Sequence, residues 1–119
     1  MAHERPANFC VVTTTYANEE VGMRIADELL ASRLAACVQV LPIRSIYTWK
    51  GKTVREGETL MLIKAKASDF ESIKETILKL HDYEVPEVIS LAIDQGSEVY
   101  LRWITEVTHT DSRNLNSPK

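Results

Sequence analysis

A chain of 119 residues is long enough for one domain, and 45% hydrophobic against 26% charged residues excludes a disordered polymer as its default state. A formal net charge of -3, with no basic run interleaved with aromatics, argues against a nucleic-acid partner. No apolar stretch resembles a signal peptide or approaches the roughly 18 residues of a membrane span, so the expectation is a cytoplasmic protein without membrane contact.

Phe9 to Thr15 is a β-branched and aromatic run that predicts a first strand. Asn18 then supplies a helix N-cap, and Glu19 and Glu20 place carboxylates in the first turn, where they suit the helix dipole. Val21, Ile25, Leu29 and Leu34 recur at helical spacing, which carries the helix to about Arg33. Cys37 to Trp49 reads as a second strand, with Pro42 marking a sheet edge or a bulge. Lys50-Gly51-Lys52 turns the chain, and Thr53 to Lys66 returns as a third strand. The result is a long hairpin in which Gly57 is expected to bulge or bend.

Ser68-Asp69-Phe70-Glu71 has the form of a capping box opening a second helix, whose apolar stripe is Phe70, Ile73, Ile77 and Leu80. Pro86 biases Val85 towards an extended conformation, so Asp82 to Val85 leaves the helix. Val88 to Ile93 is a fourth strand. Ser97 caps a last helix bearing Val99, Leu101, Trp103, Ile104 and Val107. Residues 1–8 read as a flexible N-terminus, 9–107 as the folded domain and 108–119 as a polar tail. Cys10 and Cys37 sit in apolar strand surroundings and are expected to pack as small hydrophobes.

The order β-α-β-β-α-β plus a closing helix predicts an α+β, ferredoxin-like split βαβ domain with an antiparallel sheet and an extended hairpin. Phe9-Cys10-Val11-Val12, Val40-Leu41 and Leu60-Met61-Leu62-Ile63 do not alternate apolar with polar residues, so both faces of the sheet are apolar. Two helices cover one face. Copies of the same chain are the expected cover for the other, in a closed ring.

Leu34-Ala35-Ala36-Cys37, Tyr47-x-Trp49-x-Gly51, the Glu58 to Lys66 strand and Pro86-Glu87 stand in an order and spacing that resemble the CutA family of divalent-cation-tolerance proteins, over residues 9 to 107. The resemblance implies a non-catalytic homotrimer held by strands of the long hairpin, and a function in tolerance of, or response to, copper or another divalent cation. It implies a metal site at a strand position matching Thr14 and at a histidine pair that reads Leu80-His81 here, leaving His81 as the metal-ligand candidate. One imidazole falls short of the three or four ligands of a stable copper or zinc site.

Beside that candidate, Asp82, Tyr83, Glu84 and Glu87 crowd one loop and could offer oxygen ligands. Period-two geometry puts Lys64 and Lys66 on one face of the third strand, joined by Glu58 if no bulge intervenes. Glu58, Lys64, Lys66, Tyr83 and Glu87 are therefore candidates for a small-ligand pocket, and Tyr47 and Trp49 for interface anchors. A small-ligand sensor or scaffold resembling the trimeric nitrogen-regulatory proteins is the alternative function. No catalytic motif is visible, and the loop after the first strand lacks the arginine a phosphate-handling enzyme would need.

Overall fold

The computed structural model describes residues 7–109; most of the expected flexible N-terminus and polar tail lie outside them. The elements are β1 (Phe9–Tyr16), α1 (Glu19–Ala31), β2 (Cys37–Trp49), β3 (Lys52–Lys66), α2 (Phe70–Leu80), β4 (Ile89–Ile93) and α3 (Glu98–Val107), with a 3-10 turn at Ala67–Asp69. The sheet order is β2-β3-β1-β4, and every pairing is antiparallel, as the split βαβ pattern predicts.

Asn18 caps α1 as expected, its side chain accepting from the Glu20 and Val21 backbone N–H groups. The helix ends two residues before the expected Arg33, because that residue turns into the left-handed region at φ 62. The Leu34 and Ala35 N–H groups then fold back onto the Leu29 carbonyl and satisfy the helix end. The capping box at Ser68 does not form. The Ala67 N–H is committed to the Asn8 carbonyl, Ser68 lies inside the 3-10 turn, and Asp69 precedes α2 without a side-chain cap.

Gly57 makes no bulge. The β2–β3 register runs unbroken from Trp49 opposite Lys52 to Cys37 opposite Lys64, with Gly57 facing Arg44. Pro42 lies on an edge strand, where its missing N–H costs the ladder least.

That register sorts the side chains by face. Cys10, Val12, Thr14 and Tyr16 of β1 and Met61, Ile63 and Ala65 of β3 are all buried, with Ile25 and Leu29 of α1 and Ile73 and Ile77 of α2 completing the cluster. The second face carries Val11, Leu41, Leu60, Leu62, Ile89 and Leu91. Here α3 covers one end, with the Lys66 ammonium donating to the Thr108 carbonyl at 3.3 Å and Lys64 5.7 Å from the Tyr100 ring centroid. Between the covered ends, Leu41, Ile89 and Leu91 are 41%, 49% and 54% exposed.

Gly22 of α1 packs its bare backbone against the Tyr16 ring. A Cβ at Gly22 would lie 2.2 Å from the Tyr16 ring, which the surrounding helix and strand hold in place. Gly22→Ala is therefore expected to destabilise the fold by about 1–3 kcal/mol despite its better helix propensity. Urea unfolding measures it, and an unchanged or raised midpoint would contradict this packing.

Candidate functional site

The segment joining α2 to β4 wraps from the helical side of the sheet to its second face, and three side chains tie it down. His81 leaves α2 in an extended conformation with its side chain fully buried. Its Nε2 lies 2.7 Å from the Thr15 carbonyl, and its Nδ1 accepts the Tyr83 backbone N–H at 3.1 Å. A carbonyl only accepts and an amide N–H only donates, so the proton sits on Nε2 and the lone pair on Nδ1. Neither nitrogen is left with a free lone pair, and the Asp82 carboxylate stands 3.4 Å from Nδ1.

Two residues on, the Tyr83 ring stacks against the imidazole at 4.5 Å, and its hydroxyl donates to the Glu58 carboxylate at 2.7 Å. The third tie is Glu87, which accepts from the Thr13 hydroxyl at 2.6 Å. A parallel bond on the hairpin joins the Tyr47 hydroxyl to Glu56, also at 2.6 Å. Such short contacts are the signature of a charged acceptor.

The phenols respond to that charge. Burial first, then the bond to Glu58, pushes the Tyr83 hydroxyl well above the usual tyrosine range. The bond to Glu56 is the main cause that pushes Tyr47 up to about 12. Tyr83 also responds to Glu56, and Tyr47 to Glu58, so the four groups form one electrostatic cluster.

Between the hairpin and the 82–87 segment lies a cleft of about 710 Å³. Glu58, Tyr83 and Glu87, all expected at a ligand pocket, line it, and His81 pins its loop from behind. Lys64 and Lys66 do not join them. They share the face of Glu58, but six and eight residues of strand separate them by roughly 20 Å or more, and both serve to seat α3. Tyr47 and Trp49, expected as interface anchors, are half-exposed on the cleft wall.

Sequence reasoning missed Thr13 and Glu56. The two-residue spacing of Glu56 and Glu58 was the available signal for one; Thr13 has none, because only the fold brings it to Glu87. Thr14 and Leu80 belong to the core rather than the cleft. Burial pushes the Cys10 thiol up, Cys37 is half-buried, and both are free. Among the described residues, no three or more His, Cys, Asp and Glu side chains are grouped to hold a metal ion.

A raised phenol pKa means that the folded protein binds this proton more tightly than the unfolded chain does. Its stabilisation is complete below about pH 10, the unfolded tyrosine value, and is lost as pH rises through about 12 for Tyr47 and higher for Tyr83. Burial also raises the Tyr16 phenol, so ultraviolet titration should show Tyr16, Tyr47 and Tyr83 all ionising late, with Tyr83→Phe removing one of the three late steps. Ionisation of all tyrosines near pH 10 would contradict the paired geometry.

The family model described as CutA1 divalent ion tolerance protein matches residues 10–107. The Thermus thermophilus divalent-cation tolerance protein CutA is 43% identical over 99 residues, covering 82% of this chain and 96% of the relative. The mouse protein CutA is 41% identical over 92% of this chain, which spans only 62% of that longer relative. A solved CutA structure from Archaeoglobus fulgidus superposes with a TM-score of 0.82 at 31% identity, covering 85% of this chain and 99% of the other. The expected cytoplasmic placement does not stand, because the Archaeoglobus protein is described as periplasmic and the Arabidopsis thaliana relative as chloroplastic. Among the described residues no helix is long and apolar enough to cross a membrane. With the fold and nearly the whole folded length in agreement, the chain belongs to the CutA1 divalent ion tolerance family.

Proposed function

We propose that the chain works as a non-catalytic homotrimer in divalent-cation tolerance. The observation that carries the assembly is the second sheet face, where Leu41, Ile89 and Leu91 stand about half exposed between α3 and the 82–87 segment. At roughly 25 cal/mol per Å² of apolar surface, leaving such a band in water forfeits several kcal/mol per subunit. β2 and β4 are both sheet edges, so head-to-tail contacts between identical copies can close into a ring and leave no edge free.

The names carried by relatives of the family support the cation link. His81 acts in this reading as a structural pin for the loop, since a metal would first have to displace one of its two hydrogen bonds. Three carboxylates of the cleft, Glu56, Glu58 and Glu87, each accept from a neutral hydroxyl, an arrangement that supports holding and orienting charge rather than turning over a substrate.

Light scattering tests the assembly. Three chains of 13.5 kDa give about 40 kDa, which is the mass expected at micromolar concentration; a monodisperse 13.5 kDa species contradicts it. On the same preparation, calorimetric titration with Cu(II) tests the role of His81. Stoichiometric binding that His81→Ala abolishes would overturn the pin reading, whereas a lower unfolding temperature with copper binding unchanged supports it.

A further inference from the structure

The closing helix α3 is apolar over a wider arc than its own subunit uses. At 3.6 residues per turn its side chains fall on three flanks. Leu101, Ile104 and the C-cap residue Thr108 share the inner flank, where Ile104 and Thr108 are fully buried and Leu101 is half-buried. Glu98, Arg102, Thr105 and Glu106 form a polar flank in water. The third flank is Val99, Trp103 and Val107, spaced i, i+4 and i+8, and these three are 73%, 38% and 36% exposed. A helix that covers one sheet needs one apolar stripe, and this one has two.

We infer that the second stripe is a subunit contact: in the assembled protein Val99, Trp103 and Val107 pack against the neighbouring copy, with Trp103 as the anchor. This rests on the trimer reading and adds to it a contact that the sheet edges do not supply. The position of α3 selects a second copy as the cover. The Lys64 ammonium lies 5.7 Å from the Tyr100 ring, so the helix sits on the row of the sheet that runs from Lys64 through Val11 to Leu91. Leu91 is half-exposed and belongs to the aliphatic band that a neighbouring chain shelters. A chain laid over that band abuts α3 along the same row.

The make-up of the stripe agrees. It carries no charge, and contacts between permanent copies are richer in apolar and aromatic side chains than surfaces that meet a partner briefly. The helix is also held still. The Lys66 ammonium donates to the Thr108 carbonyl at 3.3 Å and the Arg33 guanidinium to the His109 carbonyl at 3.4 Å, so two cations secure its C-terminal end. The Tyr100 and Trp103 rings stand 5.5 Å apart between centroids, which restricts the indole. A large ring fixed before association loses little side-chain entropy when it is covered, and tryptophans of that kind dominate the energetics of interfaces.

Val99→Glu separates a covered stripe from a wet one. On a flank in water glutamate is the better helix former and the change is neutral or stabilising. In a subunit contact it brings a charge into an apolar seam. Native mass spectrometry of mixed isotope-labelled and unlabelled full-length chains reads subunit exchange, which Val99→Glu should accelerate about tenfold or more, the worth of one buried valine. Thr105→Glu, on the polar flank, should leave the exchange rate unchanged. In the Trp49→Phe chain Trp103 is the sole tryptophan, and iodide, which stays in water, should leave its fluorescence unquenched in the assembly. That measurement keeps α3 intact and so decides even where Val99→Glu fails to fold. Exchange unaltered by Val99→Glu, or a Trp103 quenched by iodide in a species of about 40 kDa, overturns the inference and leaves the trimer standing. A 13.5 kDa species removes both.

Discussion

A sheet with two apolar faces and helices enough for one sets the terms for the rest of this molecule. The helical side is closed over β1 and β3 by Ile25, Leu29, Ile73 and Ile77, which are fully buried. On the other side, α3 and the 82–87 segment each take one end and leave a band of aliphatic side chains between them. Strand residues that are apolar on both sides stabilise a domain only when both sides are sheltered. The uncovered band is thus the feature that directs this fold towards its own copies.

The polar end of the same face follows a different rule. The chain must cross from α2 to β4 over the end of the sheet, and a loop there needs partners for its backbone groups. His81 meets that need with a ring that joins a carbonyl of β1 to an amide of its own loop. Tyr83 and Glu87 add bonds to β3 and β1, each between a hydroxyl and a carboxylate. Ion pairs with lysine would have held the loop too, but would have cancelled the charge. Hydroxyl donors hold it and leave the cleft negative.

Much of this was legible in the residues, because local patterns report local structure. The β-branched runs, the helical spacing in α1 and α2, and the Asn18 cap each depend on neighbours a few positions away. Pro42 marked an edge strand for the same reason. The failures share one cause, which is competition from distant partners. Ser68 had the pattern of a cap but lost to the bond between Ala67 and Asn8, nearly sixty residues away in sequence. Gly57 invited a bulge that an unbroken ladder with β2 prevented. Lys64 and Lys66 shared a face with Glu58, yet α3 claimed them at the far end of the strand. Cellular location is not written in a fold at all, and relatives of the same architecture are described as periplasmic and chloroplastic.

Hydrogen–deuterium exchange on the outer edges of β2 and β4 reaches the central claim most directly. In an isolated chain those outward amides have no partner in the sheet and sit beside half-exposed leucines. Shelter by identical subunits predicts that they exchange as slowly as the interior amides of β1 and β3. Exchange near the rate of an unstructured peptide, in protein that is otherwise stably folded, would show that the second face lives in water and that the account is wrong.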